Sequence, residues 1–367
     1  MFRLGTIFFL VLWTWLGLAQ TLPPLLIGSY TQQGNPGLQY FSWNPAHAQA
    51  MPAGSTAQVN ASYQVLAEAG EYLYSVSEGG DAHSAVVAYR RQANGRYARL
   101  NAYPTLGQDP CHILYRKKSR TVYTANYSGG SVSVFQTQDG KLLPIAQLMV
   151  YKGSSKNPSR QQASHAHQVV LSPEEDYLFV TDLGTDQVYR HRILSDGRLD
   201  PNYQTMHLRP GDGPRQLVFH PNGKFAFVLN ELSGRLQSYT YAKGNLSPLE
   251  SQIIDSSAAP YKASAHLAIS PDWNYVLCSN RITANELVLF KLLPSGRLLF
   301  KQRIPTAKRP RHFTFDPSGK WVLVASQEEN KVQLFEFREG RLKNTQKTLA
   351  VAAPVCLSFL PYFSSSK

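Results

Sequence analysis

Several features that usually reveal a function are scarce in this sequence of 367 residues. Only three cysteines are present, at positions 111, 278 and 356, and their spacing matches no zinc site and requires no disulfide. Neither a Gly-x-Ser-x-Gly nucleophile motif nor a Walker or Gly-x-Gly-x-x-Gly phosphate loop occurs. These absences give little support to nucleophilic catalysis, to nucleotide binding through such a loop, or to a structural zinc site.

Charge is also scarce, because Asp, Glu, Lys and Arg together make up 17% of the residues. Hydrophobic residues make up 43%, so there is ample apolar surface to bury and disorder is excluded. The formal net charge of +13 is spread along the chain rather than clustered. We therefore interpret it as a general property of an exported protein and predict no binding to nucleic acid.

The one long apolar run lies at the N-terminus. It extends from Ile7 to Leu18 and follows a single positive charge at Arg3. Small residues at Gly17 and Ala19 precede Gln20, as a signal peptidase requires. This pattern predicts a signal peptide at residues 1–19, an extracytoplasmic location, and one mature domain over residues 20–367. An uncleaved membrane anchor is the alternative, although the run is short for a membrane span. We expect no stable membrane insertion once the signal is removed.

A pattern of a turn, an apolar strand ending in a small or polar residue, and a second alternating strand recurs seven times. The strand ends have a spacing of about fifty residues, and they are Ser29, Ser77, Asn126, Asp182, Asn230, Asn280 and Ser326. Short strands and turns at this period indicate an all-β, seven-bladed β-propeller with four-stranded blades. The last strand pattern, Pro354 to Phe359, has no repeat after it, and the first repeat lacks a matching predecessor. We therefore predict that the C-terminal strand closes the ring by joining the N-terminal blade.

The strand that opens each unit places chemically useful residues at matching positions. Those in register are Cys111, His167, Arg215, Ala265, Arg311 and Val355. The next residue in the chain after each of them is, in the same order, His112, Gln168, Gln216, His266, His312 and Cys356. Because first strands line the central channel of a propeller, we expect His167, Arg215 and Arg311 to converge near one mouth. Glu231 and Arg281 follow equivalent strand ends in adjacent blades. The set predicts a site for a small anion with acid–base capability.

Two other interpretations of these residues stay open from the sequence. Arg215 and Glu231 are also compatible with a purely structural ion pair. Two histidines, His165 and His167, together with Asp182 and Glu231, are also compatible with a metal site, although the nearby arginines disfavour a cation.

Segments throughout the chain resemble the seven-bladed lactonase family, which includes propeller-type 6-phosphogluconolactonases and fungal carboxymuconate cyclases. They are Asp109–Ile113, Ala125–Ser131, His165–Gln168, Thr181–Asp186, Gly213–Gln216, Val228–Leu232, Ser279–Arg281 and Pro310–Phe313. The resemblance implies His167, Arg215, Glu231 and Arg281 as catalytic residues, with His165 an alternative to His167. We predict that the substrate-binding residues are His165, Arg311, His312, His112 and Asn126. Gln216 departs from the family, which often has His after Gly-Pro-Arg.

The resemblance predicts a lactone hydrolase that needs no cofactor or metal and acts on a small anionic or sugar-derived lactone. Phosphorylated sugar lactones are cytosolic, which conflicts with the predicted export. Two alternatives therefore remain: a muconate-type cycloisomerase, and an exported non-enzymatic propeller that binds a ligand or a protein at its channel mouth.

Overall fold

The computed structural model describes residues 24–80, 83–259 and 262–361. Within these ranges the chain forms seven four-stranded antiparallel sheets, so the predicted seven-bladed propeller is confirmed. The predicted signal peptide at residues 1–19 lies outside the described residues. Among the residues that are described, no helix combines the length and the apolar character needed to cross a membrane.

The strands follow one another around the ring, and most blades use four consecutive strands. Blade 1 contains β1 (Pro24–Ser29), β2 (Gly37–Asn44), β3 (Gln49–Ala57) and the C-terminal β28 (Pro354–Phe359). Blades 2 to 4 contain β4 (Ala61–Ala67), β5 (Tyr72–Ser77), β6 (Ala85–Arg91), β7 (Tyr97–Pro104), β8 (Pro110–Arg116), β9 (Thr121–Asn126), β10 (Ser131–Gln138), β11 (Lys141–Val150), β12 (Ala166–Leu171), β13 (Tyr177–Asp182), β14 (Gln187–Arg192) and β15 (Gln204–His207). Blades 5 to 7 contain β16 (Pro214–Phe219), β17 (Phe225–Asn230), β18 (Arg235–Ala242), β19 (Asn245–Ile253), β20 (Ser264–Ile269), β21 (Tyr275–Asn280), β22 (Glu286–Leu292), β23 (Leu298–Pro305), β24 (Pro310–Phe315), β25 (Trp321–Ser326), β26 (Lys331–Arg338) and β27 (Arg341–Ala350). The short 3₁₀ helices are Glu68–Gly70, Lys117–Ser119 and Gln327–Glu329.

The ring closes through the C-terminal strand. β28 pairs antiparallel with β1, with Leu26 opposite Ser358 and Ile27 opposite Leu357. This confirms the predicted closure, which leaves no open edge between the first and last blades. The seven predicted strand ends are confirmed as well, because β1, β5, β9, β13, β17, β21 and β25 end at those residues.

The core lies between the blades. The second strand of each blade is apolar and almost entirely buried, as in Phe225–Asn230, because a neighbouring blade covers each of its faces. The fourth strands alternate between exposed and partly buried residues, as in Asn245–Ile253, because one edge faces solvent. In the described part of the chain, seven apolar clusters each join two adjacent blades, so the packing continues around the ring.

A β-bulge occurs near the start of the innermost strand of every blade, which is β28 in blade 1. In blade 5, for example, Pro214 pairs with Asn230 and Gln216 with Leu229, which leaves Arg215 without a cross-strand partner. A bulge re-aims the side chain of its extra residue. The seven bulge residues, called here the bulge ring, are Ser62, Cys111, His167, Arg215, Ala265, Arg311 and Val355.

Candidate active site

The bulge ring lines a single pocket in the central channel. All seven of its residues contribute to the wall of this pocket, whose empty volume is about 400 Å³ including the space open to solvent. The sequence alignment placed six of these residues correctly in register and did not include Ser62. His167 keeps this register although its strand has no proline: Ala166 takes the place of the proline, and His167 is the unpaired residue.

A second ring surrounds the same axis. It contains the residue that follows each second strand, and we call it the exit ring: Tyr30, Glu78, Tyr127, Leu183, Glu231, Arg281 and Gln327. In each blade the backbone N–H of the exit-ring residue donates to a carbonyl two residues before the bulge, as Glu231 does to Gly213 at 2.8 Å. These bonds hold the exit-ring residue beside the bulge residue of its own blade.

Glu231 lies at the centre of a cluster of three guanidinium groups. Arg215 Nη1 and Arg281 Nη2 contact its Oε2 at 2.5 and 3.1 Å, and Arg160 Nη2 contacts its Oε1 at 2.9 Å. We call Arg160, Arg215, Glu231 and Arg281 the Glu231 cluster. Three positive groups share one carboxylate, so the cluster carries an excess of two positive charges. Such an arrangement can bind an anion or stabilise a developing negative charge.

The electrostatics of the Glu231 cluster keep its carboxylate ionised. Burial by itself would raise the pKa of Glu231, but Arg281, Arg215 and Arg160 together hold that pKa well below its usual range. Burial and the neighbouring Arg215 lower the pKa of Arg281. Protonation would cost Glu231 its three guanidinium contacts, so the role that it can fill is to hold those groups in place.

His167 is the imidazole that faces the pocket beside this cluster. Burial, together with the positive charge of Arg215, holds the pKa of His167 well below its usual range, although Glu231 acts in the opposite direction. The ring is therefore neutral at pH 7, so its lone pair is free to accept a proton, although the same effects make it a weaker base than an ordinary histidine. The Tyr127 ring lies against it edge-on, at 5.7 Å between centroids.

His165 takes a different place from His167. Its ring stacks on Tyr127 at 4.5 Å, and its Nδ1–H donates to the Tyr127 carbonyl at 3.1 Å. Its backbone N–H donates to Asp182 at 2.7 Å. Tyr127 in turn accepts a hydrogen bond from Arg160 at 3.0 Å, so His165 supports the residues around Glu231 from the side.

Across the channel, Arg311 belongs to a second polar group that we call the Glu78 cluster: Tyr30, Glu78 and Arg311. Tyr30 donates from its hydroxyl to Glu78 Oε1 at 2.8 Å, and Arg311 Nη2 lies 3.7 Å from Glu78 Oε2. The guanidinium of Arg311 also lies over the Tyr30 ring, at 5.1 Å from its centroid. The charges of Arg311 and Glu78 balance.

Below the bulge ring, three histidines form a layer in the same pocket. The His266 and His312 rings are 3.9 Å apart, and Tyr63 lies 4.4 Å from His112 and 5.9 Å from His312. Burial lowers the pKa of His112 and of His312 to about 3. His312 also has a structural contact, because its Nδ1 accepts the backbone N–H of Leu357 in the next blade at 3.3 Å.

Comparison with known proteins decides the family. The sequence model of the family described as "Lactonase, 7-bladed beta-propeller" matches residues 24–359. This chain belongs to the seven-bladed β-propeller lactonase family. A protein named 6-phosphogluconolactonase from Formosa agariphila is 31% identical over 92% of this chain and 99% of its own length.

Solved structures of lactonases agree with this assignment. A putative 6-phosphogluconolactonase from Bacteroides fragilis is 34% identical with a TM-score of 0.89, and the match covers 93% of this chain and 99% of that one. A periplasmic gluconolactonase from Pseudomonas aeruginosa is 30% identical with a TM-score of 0.87, and the match covers 92% and 99%.

Asn126 is placed apart from the other predicted site residues of this lactonase. It is completely buried within its own blade, where its Nδ2 donates to Ser131 and Ser133 at 3.0 and 2.9 Å. Like His165, Glu231 and Arg281, it is not part of the pocket lining. Its hydrogen bonds hold β9 to β10, and its contact with the substrate stays a prediction.

The metal interpretation is not supported by the placement of its residues. Asp182 is engaged by Ser164, His165 and Tyr189 within its blade, and Glu231 is surrounded by guanidinium groups. Nowhere in residues 24–80, 83–259 and 262–361 do three or more His, Cys, Asp or Glu side chains form a group that could hold a metal ion.

Sequence reasoning missed several residues of the two polar clusters and their surroundings. Tyr30, Glu78 and Tyr127 follow strand ends just as Glu231 does, so extending that comparison to every repeat would have found them. Arg160 lies in the loop between β11 and β12, outside the repeat, and no sequence signal indicates its contact with Glu231.

Proposed function

We propose that this lactonase hydrolyses a sugar-derived lactone, with His167 as general base and the Glu231 cluster as the site that stabilises the oxyanion. The observation that carries this proposal is the placement of a neutral imidazole beside guanidinium groups that are fixed on one buried carboxylate. Both His167 and Arg215 line the same pocket, so one small molecule can contact both.

The proposed reaction begins with water held between His167 and the lactone carbonyl carbon. His167 takes a proton from the water as its oxygen attacks that carbon, and the carbonyl oxygen becomes negative. Arg215, held by Glu231 and by the Ala265 carbonyl, stabilises this oxygen. When the ring C–O bond breaks, the imidazolium returns its proton to the departing alkoxide. The product is an open hydroxy acid, and no step requires a cofactor.

Glu231 is the weaker candidate for the base. Three guanidinium contacts stabilise its ionised form, so taking a proton would cost those interactions. We assign Arg281 and Arg160 the role of holding Glu231 and contributing positive potential. The convergence of His167 and Arg215 on one pocket, with Glu231 in contact with Arg215, also favours catalysis over a purely non-enzymatic scaffold.

For the substrate, we propose a non-phosphorylated sugar-acid lactone met outside the cytosol. The N-terminal pattern supports export, and one related structure is that of a periplasmic gluconolactonase. Other relatives carry the name 6-phosphogluconolactonase, so phosphate is the feature to test. If export and cleavage occur as proposed, mass spectrometry of the exported protein should find Gln20 as its first residue. An exported chain that retains Met1 would contradict cleavage.

The proposal is tested by hydrolysis of a lactone panel, followed as proton release at constant pH. Glucono-1,5-lactone and its 6-phosphate are compared for the wild type and for Arg215→Ala. We expect kcat/KM of the variant to fall by about 10²- to 10³-fold, the effect of removing one oxyanion-stabilising donor. The better substrate shows whether phosphate contributes.

The matched control is Arg303→Ala. Arg303 also pairs with a glutamate, Glu286, but lies on β23 away from the pocket, so turnover should stay at the wild-type level. Circular dichroism checks that both variants are folded. Unchanged turnover in a folded Arg215→Ala variant would refute the assignment of Arg215, and a wild type inactive on every lactone would refute the proposed reaction.

A further inference from the structure

The Glu78 cluster is a polar group for which the proposed reaction has no use. Its members come from blades 1, 2 and 7, whereas Arg215, Glu231 and Arg281 come from blades 5 and 6. In a ring of seven blades, blade 5 lies opposite blades 1 and 2, whereas blades 6 and 7 are neighbours. A lactone bound at Arg215 would therefore direct its far end toward Tyr30 and Glu78.

Within this cluster, one carboxylate oxygen accepts a hydrogen bond and the other accepts none. Tyr30 donates to Glu78 Oε1 at 2.8 Å. Glu78 Oε2 is buried and has no hydrogen-bond donor among the described residues, and the nearest charge, Arg311 Nη2, is 3.7 Å away. A buried carboxylate oxygen without a donor is unfavourable, so a donor supplied by a ligand would stabilise it.

The cluster is also within reach of the reacting groups. Arg311 lines the same pocket as His167 and Arg215, and its charge contributes to the lowering of the pKa of His167. The side chains of Arg311 and Glu78 are each 18% exposed, and Glu78 lies behind Arg311 rather than in the pocket lining. A ligand that extends from Arg215 to Arg311 would therefore come close to Glu78.

We propose that Glu78 is a specificity-determining residue, whose Oε2 accepts a hydrogen bond from a hydroxyl group of the lactone. Tyr30 and Arg311 are positioning residues that hold the carboxylate toward the channel. This inference rests on the proposed function and deepens it, because it names the residue that would recognise a hydroxyl group of the sugar-derived lactone.

The charge balance of the cluster supports hydroxyl groups over acidic ones at this end. Arg311 already matches the charge of Glu78, so a second carboxylate of a substrate would meet Glu78 without a free cation beside it. A hydroxyl group donates to Glu78 without such repulsion. The same balance disfavours the dicarboxylate that a muconate-type cycloisomerase would bind.

The test compares two lactones of the same ring size. Glucono-1,5-lactone carries hydroxyl groups around the ring, and δ-valerolactone carries none. In Glu78→Gln, KM for glucono-1,5-lactone should rise about ten- to a hundredfold, the effect expected for a hydrogen bond to a charged group. Turnover of δ-valerolactone should stay at the wild-type level, because that substrate makes no such bond.

Glu328→Gln is the matched control, because Glu328 also pairs with an arginine, Arg309 at 3.1 Å, but does not line the pocket. The control should leave KM and turnover at the wild-type level for both lactones. If Glu78→Gln changes KM for both lactones equally, or for neither, the assignment of Glu78 is overturned and the proposed hydrolysis still stands. The assignment is also overturned if the wild type prefers δ-valerolactone to glucono-1,5-lactone. A wild type that hydrolyses neither lactone would overturn the proposed function itself, and this inference with it.

A second measurement needs no substitution, in case Glu78→Gln fails to fold. 1,5-Anhydroglucitol has the hydroxyl groups of the sugar ring but no carbonyl, and tetrahydropyran has neither. The first should inhibit hydrolysis of δ-valerolactone by the wild type competitively, and the second should not. Equal inhibition by both, or by neither, would overturn the proposed hydroxyl contact.

Discussion

Glu78 and Glu231 occupy the same position in two repeats of one protein, yet their surroundings differ. Each follows a second strand, and each donates its backbone N–H to a carbonyl two residues before a bulge, at 3.0 and 2.8 Å. Glu231 is fully buried and contacts three guanidinium groups, whereas Glu78 has one, at 3.7 Å, and a tyrosine hydroxyl.

This difference shows how one fold makes two kinds of surface from one repeat. The backbone of each repeat fixes where a carboxylate points, and the side chains of other repeats decide its charge environment. At Glu231 they leave an excess of positive charge, and at Glu78 they leave a neutral group with one acceptor that has no donor. A channel with unlike walls can orient a lactone, because its carbonyl and its hydroxyl groups prefer opposite sides.

The largest expected effect is on the free energy of unfolding when each of the two glutamates is replaced by glutamine. Glu231→Gln leaves three guanidinium groups around a neutral amide, so the free energy of unfolding should fall by about 3–5 kcal/mol. Glu78→Gln should lower it by only about 1 kcal/mol, since a single, longer ion contact is lost. Urea denaturation at pH 7 measures both. Equal losses would mean that the two clusters do not differ as their geometry indicates.

The next prediction concerns His312, which follows Arg311 of the Glu78 cluster. Its folded-state pKa of about 3 lies below the unfolded value of about 6.5, so the unfolded state binds protons first as the pH falls. Its contribution to stability is therefore complete above pH 6.5 and is lost as the pH falls toward 3. At pH 5 this loss is about 2 kcal/mol.

His312→Gln should remove the loss of stability at pH 5 that comes from His312. Glutamines occupy the same repeat position in two other blades, where Gln168 and Gln216 accept the backbone N–H of Leu217 and Leu267. The substitution therefore keeps the bond between blades and removes the titrating ring. Urea denaturation at pH 7 and pH 5 provides the comparison, and a variant with the wild-type difference between the two values would exclude His312 as a source of acid sensitivity.

A smaller effect is expected at Asn126, one position before the exit ring. Asn126→Ala removes its bonds to Ser131 and Ser133, so the free energy of unfolding should fall by about 1–2 kcal/mol. KM for glucono-1,5-lactone should not change. A rise in KM with unchanged stability would support Asn126 as a substrate contact.

The smallest expected effect concerns the dependence of kcat/KM on pH, which should show no decline near pH 6.5. A base with an ordinary histidine pKa would lose activity as the pH falls through about 6.5. The pKa of His167 is lowered by burial and by Arg215, so kcat/KM should stay level through that range and decline only at lower pH. Initial rates between pH 5 and 8, corrected for spontaneous hydrolysis, test this. Half-maximal activity near pH 6.5 would show that the guanidinium groups do not act on the base as proposed.

Much of this arrangement could be predicted from the sequence, because a repeat carries its own register. Arg215, Arg311 and His167 were aligned by their strands, and the bulge now explains why each faces the channel. Asn126 was expected at the site from its motif, but its side chain turns into its own blade. Arg160 could not be found, because a loop outside the repeat has no register to follow. The catalytic roles of His167, Arg215, Glu231 and Arg281 stay predictions.

The sequence by itself determined the number of blades, the closure of the ring and the order of the polar residues along it, because strand periodicity and turn residues act over a few neighbours in the chain. Only the tertiary structure decided which arginines share Glu231 and which pairs with Glu78. Those contacts join residues 16 to 233 positions apart, and their strength depends on burial and on distances across the channel that no local pattern encodes.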